Sequence, residues 1–220
     1  MLGNSKLVLS NQISPHPYLI DIVKKHSKSN YKAPVSAEIF QGFLHVLEVA
    51  ENYSGIILDS GCGTGESTIT LAKLFPEHLI VGVDKSAQRI QKGANVLKKL
   101  KLQNCLLLRS DVSFFWQFLI ETQTKISEHF ILYPNPWPKK KHILRRWHAH
   151  SLFPKILKLS RSMTLRTNWN IYASEFAIAS SYLTKNEINP SEFETLFPMT
   201  SFERKYKNSQ HKIYEVKYLT

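Results

Sequence analysis

The 220-residue sequence predicts an α/β fold with a mostly parallel sheet, helices on both faces and an antiparallel C-terminal edge strand. Three observations carry this. From residue 56 onward, apolar runs of strand length alternate with amphipathic stretches of helix length. Four of the eight glycines fall between Gly55 and Gly65, where the first such run meets the first such stretch. Glycine clusters of this kind mark backbone that turns sharply and can approach a ligand closely. Finally, Lys212 to Leu219 alternates Tyr214, Val216 and Tyr218 against Ile213, Glu215 and Lys217, as a half-buried edge strand does.

Taken in order, residues 1–33 mix polar, basic and apolar stretches and read as a partly flexible lead-in; residues 34–220 read as a single domain. A helix is expected from Pro34 to Asn52, with Ser36 as its N-cap. Strands at 56–59, 79–84, 105–109 and 129–133 then alternate with helices at 66–75, 86–101 and 112–126. A proline-rich loop at 134–138 follows, then a helix from 143 to 160, a strand at 163–167, a helix at 171–185 and the final strand. The hydrophobic share of 43% is ordinary for a globular chain of this length and sufficient for one core. The N-terminus lacks an apolar core flanked by a small-residue cleavage site, and no apolar run approaches the roughly 18 residues of a membrane span. A soluble, cytoplasmic protein without membrane contact is expected. The two cysteines offer neither a disulfide framework nor zinc spacing, and Cys62 reads as a small loop residue rather than a nucleophile.

The loop Asp59-Ser60-Gly61-Cys62-Gly63-Thr64-Gly65 is the candidate ligand site. A dinucleotide loop needs a third small residue, but that position is Glu66 counting from Gly61 and Thr68 counting from Gly63. A phosphate-binding P-loop needs a lysine that the turn lacks. The acidic-x-G-x-G-x-G pattern is similar to the first motif of Rossmann-like S-adenosylmethionine methyltransferases. That ligand has no pyrophosphate, so Asp59 is not repelled and can receive the cationic methionine end. Asp84 closes the second strand 19 residues beyond Gly65, the separation expected of a carboxylate that accepts both ribose hydroxyl protons. The third run, Cys105 to Leu108, leads to Asp111, where these methyltransferases place a residue against adenine. Asp111 before Val112-Ser113-Phe114 also reads as a helix N-cap. Acids at the C-terminal ends of successive strands line the crevice where open α/β sheets bind ligands.

Charge points to a second partner. Lysine plus arginine outnumber aspartate plus glutamate by 29 to 17, a net +12, and such an excess attracts polyanions. The densest block is Lys139-Lys140-Lys141-His142, followed by Arg145, Arg146 and His148, with Trp137 and Trp147 interleaved. No acid occurs between Glu128 and Glu175. Cations for phosphates beside aromatic rings for bases favour a nucleic acid, and Lys24, Lys25, Lys28 and Lys32 would make the lead-in an RNA-touching arm. His142, His148 and His150 lack the local acid or cysteine that would complete a metal set, so no metal is expected.

The segment Tyr133-Pro134-Asn135-Pro136-Trp137-Pro138-Lys139-Lys140-Lys141-His142 joins a strand end, a rigid proline turn and the basic block. Here the chain resembles the bacterial tRNA (guanine-N7)-methyltransferase family, the TrmB-like enzymes, whose hallmark reads roughly F-P-D-P-W-x-K-x-x-H followed by K-R-R. The resemblance extends through Arg145-Arg146 to Thr167-Asn168-Trp169, similar to the family's T-D-W, and to Thr200-Ser201-Phe202-Glu203, similar to its T-x-F-E. It implies a Rossmann-like methyltransferase that uses S-adenosylmethionine on tRNA, as a monomer or weak homo-oligomer. Asp59, Gly61, Gly63, Gly65, Asp84 and Asp111 match the cofactor-binding positions, and Asn135 matches the acid between cofactor and base. Lys139, Asn168, Thr200 and Glu203 match guanine or substrate contacts, with Lys140, Arg145 and Arg146 beside them on the basic face.

Asn135 and Asn168 depart from the family by replacing aspartates. Guanine N7 carries a free lone pair, so its methylation needs no general base, only orientation and a suitable field. Asparagine keeps a carbonyl acceptor but loses the charge and adds two donors. Two alternatives therefore stand. Asn135-Pro136-Trp137 is looser kin of the (D/N)-P-P-(Y/F) loop of nucleic-acid amino-methyltransferases, and the paired loss of acids also suits a catalytically weak RNA-binding homologue.

Overall fold

The computed structural model describes residues 4–34 and 37–219; Ser36, the expected N-cap, lies outside them. Among the described residues, seven strands run in the order β3-β2-β1-β4-β5-β7-β6. They are β1 Ile56–Ser60, β2 Leu79–Asp84, β3 Cys105–Arg109, β4 Ile126–Leu132, β5 Ser160–Thr167, β6 Ser191–Glu192 and β7 Tyr214–Leu219. β1 pairs in parallel with β2 and β4, β2 pairs in parallel with β3, and β6 pairs antiparallel with β7. The expected α/β fold is present, and the antiparallel pair at its end gains a two-residue outer strand that the sequence reading omitted. The described residues divide into two compact units. One comprises Lys32–Ile131 with Leu159–Ser162; the other comprises the described residues of Met1–Tyr31, Leu132–Lys158 and Met163–Thr220.

The first, the glycine-loop unit, holds α2 Ala37–Ala50, α3 Glu66–Leu74, α4 Ala87–Leu100 and α5 Val112–Glu121. β1 and β2 are buried along their whole length, which is why Ile56-Ile57-Leu58 and Leu79-Ile80-Val81 read as continuous apolar runs rather than alternating ones. Phe43 of α2 stacks on Phe118 of α5 with ring centroids 5.0 Å apart. The polar groups left inside are paired: Trp116 Nε1 donates to Ser60 Oγ at 3.0 Å, and Ser60 Oγ lies 2.8 Å from His129 Nε2. Burial lowers the His129 pKa to about 3, so this ring is a neutral core group. α5 stops at Glu121 and β4 starts at Ile126, earlier than the expected 126 and 129, because Gln123 turns into the left-handed region at φ 55°.

The second, the proline-loop unit, contains α1 Leu19–Ser27, α7 Asn170–Thr184, α8 Ser201–Asn208 and most of α6 Phe153–Leu159. The expected helix over 143–160 is broken into two 3₁₀ turns, Lys140–Arg145 and Trp147–Ala149, followed by the seven-residue α6. Arg146 and His150 take extended backbone, and Pro154 lacks the N–H that would join an upstream turn to α6. Within the expected lead-in, α1 buries Leu19 and Val23 and packs against α7.

Candidate functional site

In the glycine-loop unit the acids sit where the strands end. Asp59, 1% exposed, accepts from Ser67 Oγ at 2.6 Å and Thr68 Oγ1 at 2.7 Å, both on α3. Burial raises its pKa to about 6 even against those two hydrogen bonds. The following turn passes through three left-handed glycines, at φ 80°, 60° and 73° for Gly61, Gly63 and Gly65. A Cβ on Gly61 would meet nothing within 4 Å, whereas one on Gly65 would lie 2.7 Å from Leu107 Cδ2. Gly61 thus borders open space, and Gly65 lets α3 close onto β3. The turn is tied to β2 by Gly61 N and Cys62 N, which donate to Val83 O at 2.8 and 3.1 Å.

Asp84, 4% exposed, binds this turn to the start of α4: Oδ2 accepts from Gly63 N at 3.1 Å and Oδ1 from Ser86 N at 2.8 Å. Oδ1 also pairs with Arg89 Nη2 at 3.1 Å. Arg89, which the sequence reading did not single out, therefore lies over the glycine turn, its Nη1 3.9 Å from a Cβ built on Gly63. Asp111 caps α5, its Oδ1 accepting from Ser113 N and Oγ at 2.9 and 2.7 Å. This geometry realises its N-cap reading. Cys62 is buried, and burial pushes its thiol pKa up, as suits an inert loop residue.

In the proline-loop unit, Tyr133 and Trp137 both adopt left-handed backbone, at φ 52° and 46°. Asn135, exposed between them, accepts from Trp137 N through Oδ1 at 3.3 Å. Lys139, Lys140, Lys141 and Arg145 are exposed. Trp137 has the Arg145 guanidinium 4.6 Å over its ring and His142 edge-on at 5.8 Å. Arg146 is different. It is fully buried, paired with Glu175 and donating to Trp137 O at 3.0 Å, so its cation faces inward rather than toward a surface phosphate.

The other motif residues converge on one aromatic chain. Tyr133 stacks near Phe202 at 6.4 Å and packs on Tyr206 at 5.5 Å; Tyr206 stacks on His211 at 5.4 Å. Asn168 Nδ2 lies 3.3 Å from His211 Nδ1, and His211 Nε2 lies 3.1 Å from Ser5 O. A carbonyl can only accept, so Nε2 carries the proton and Nδ1 accepts from Asn168, an assignment made from the network. Thr200 and Glu203 are both buried and form the cap of α8: Thr200 Oγ1 accepts from Glu203 N at 3.0 Å. Glu203 Oε2 accepts from Met199 N at 2.6 Å while Oε1 pairs with Arg166 at 2.9 Å. Ser201 and Phe202 of that segment face outward, and Phe202, 50% exposed, does so on the aromatic chain. An exposed aromatic at the third place of T-x-F-E was the signal available for it.

Over residues 54–216 the chain matches the Methyltransf_4 family, described as "Putative methyltransferase". The tRNA (guanine-N(7)-)-methyltransferase of Mycoplasma genitalium is 30% identical over 164 residues, covering 73% of this chain and 75% of that protein. The same enzyme of Staphylococcus haemolyticus is 27% identical over 169 residues, covering 73% and 78%. Among solved structures, the 16S rRNA methyltransferase KamB is similar in fold, with a TM-score of 0.55 at 18% identity over 86% of this chain and 95% of that one. A variant 16S rRNA (adenine(1408)-N(1))-methyltransferase with cosubstrate SAM from Catenulisporales acidiphilia gives 0.53 at 13%, over 84% and 91%. The matched region carries the glycine turn with its three acids, the proline turn with its cations and the capped α8, and the chain belongs to the Methyltransf_4 family of methyltransferases.

Proposed function

We propose that the protein is an S-adenosylmethionine-dependent tRNA (guanine-N7)-methyltransferase acting in the cytoplasm. The observation that carries this reading is the turn Pro134 to Lys139: an exposed Asn135 held in a left-handed bend, beside exposed Lys139, Lys140, Lys141 and Arg145. The relatives' printed activity, transfer to guanine N7 of tRNA, is what that turn can serve.

The glycine turn fits the cofactor. Space lies open above Gly61, a side chain there would fill it, and the buried Asp84 carboxylate presents lone pairs beside Gly63 N–H. S-adenosylmethionine, when bound, supplies a methyl group on a cationic sulfonium. Asp84 would accept from the ribose hydroxyls, Asp111 would sit near adenine, and Asp59 would lend negative charge to the methionine end. Guanine N7 attacks with its own lone pair, so no residue must remove a proton. Asn135 orients the base: one Oδ1 lone pair takes Trp137 N–H, and the second is available to a guanine N–H. Lys139, Lys140 and Arg145 hold phosphates. Asn168, Thr200 and Glu203 serve by holding the aromatic chain that presents Phe202 to a base.

Trp137, with Arg145 over its ring and His142 at its edge, is not arranged as the open stacking residue that an amino-methyltransferase loop needs. The test is methyl transfer from labelled S-adenosylmethionine to a tRNA transcript made with guanosine or with 7-deazaguanosine. Transfer that vanishes with 7-deazaguanosine supports the reading, because that base has no N7 lone pair. Transfer that persists rules it out.

A further inference from the structure

The proline turn is strained where it matters. Trp137 at φ 46° is a bulky residue in the left-handed region, a conformation that costs on the order of 1 to 3 kcal/mol and persists only where its surroundings impose it. Two contacts impose it. Arg146 Nη2 donates to Trp137 O at 3.0 Å, and Ser10 Oγ donates to Pro138 O at 2.6 Å. Both trace back to residues 10–16. Gln12, 8% exposed, donates through Nε2 to Glu175 Oε1 at 2.7 Å and accepts through Oε1 from Arg146 Nη2 at 2.9 Å. His16 N also donates to Glu175 Oε1, at 2.9 Å, and Gln12 N donates to Ser10 Oγ at 3.0 Å.

Glu175 and Arg146 are fully buried, and His148 Nε2 lies 3.0 Å from the same carboxylate. Burial alone would raise Glu175, but the hydrogen bonds and charge of His148 and Arg146 outweigh it and hold the carboxyl at about 2. The Gln12 amide offers a donor and an acceptor on one planar group, and it uses them to bridge the carboxylate and the guanidinium at once.

We propose that Ser10, Gln12 and His16 form an intramolecular clamp that, through Arg146 and Glu175, fixes the Asn135–Pro138 turn for methyl transfer. Ser10, Gln12, Arg146 and Glu175 are positioning residues. This part of the N-terminal segment works by inward contacts rather than as a free RNA-touching arm. The inference rests on the proposed role of Asn135 in orienting the base.

The test compares full-length wild type with Gln12→Ala, Ser10→Ala and the conservative Ser10→Thr. Amide exchange over residues 133–142 and methyl transfer are both measured, with thermal unfolding and S-adenosylhomocysteine titration alongside. Ser10 is half-buried and outside the ion pair, so its alanine variant is expected to fold. The clamp predicts at least ten-fold faster exchange of the turn, a ten- to hundred-fold loss in kcat with tRNA KM and S-adenosylhomocysteine affinity held, and recovery in Ser10→Thr. Unchanged exchange in Ser10→Ala and Gln12→Ala overturns the clamp. Faster exchange with undiminished kcat leaves the clamp standing and sinks the assignment of Asn135 instead.

Discussion

At the residue scale, the acids at the strand ends do more structural work than their motif suggests, and this sets measurable behaviour. Asp59 is raised from 3.8 to about 6 by burial, a penalty of about 3 kcal/mol on its ionised form. Between about pH 4 and 6 the native state holds a proton that the unfolded chain has released, so stability falls as pH rises through that window. Urea unfolding of wild type and Asp59→Asn at pH 4.5 and 7 checks this: wild type is expected to lose about 2 kcal/mol more than the variant over that span, since the unfolded carboxyl is already mostly ionised at pH 4.5. Asn168 gives a second case. Against His211 it donates, whereas an aspartate there would accept from Nδ1–H of the protonated ring while Nε2–H stays on Ser5 O. Asn168→Asp is expected to gain an ion pair that stabilises by about 1 kcal/mol at pH 5.5 and is lost as pH rises past the histidine range, checked by denaturant unfolding of wild type and variant at pH 5.5 and 8.5. Asn168 was legible as a departure, but its match to His211, 43 residues away in sequence, was not.

At the element scale, what periodicity can see was legible and what local chemistry decides was not. β1 and β2 announce themselves as apolar runs and α4 as an amphipathic stretch, because burial on both faces or on one leaves a repeat in the sequence. The basic stretch after Lys139 also has helical spacing, yet Arg146 must reach the buried Glu175, and its extended backbone breaks the helix there. α8 was missed although Thr200-Ser201-Phe202-Glu203 has the capping-box pattern, since only eight residues follow the cap. That box carries a prediction. Glu203→Gln leaves Arg166 with Glu215 alone and weakens a buried pair, so a loss of about 3 kcal/mol is expected by chemical denaturation. Phe202→Ala, on an exposed side chain, is expected to leave stability within about 0.5 kcal/mol while raising the KM for tRNA about ten-fold.

At the scale of the whole molecule, the net charge of +12 was the broadest signal and the least local one. It attracts a polyanion without saying where. The structure sorts the cations near the proline turn into exposed Lys139, Lys140, Lys141 and Arg145 and the buried Arg146. Replacing Lys139 and Lys140 by alanine should therefore weaken tRNA binding and flatten the slope of log affinity against log salt by about 0.7 to 0.9 per lysine. Arg146→Ala should act on folding rather than on that slope. No described helix is long and apolar enough to cross a membrane.

Whether guanine N7 of tRNA receives the methyl group is decided by nucleoside mass spectrometry of tRNA incubated with the protein and labelled S-adenosylmethionine. Labelled 7-methylguanosine is expected, lost when Asp84 is replaced by alanine. Label on an exocyclic amine, or tRNA that is bound but carries no label, would contradict it.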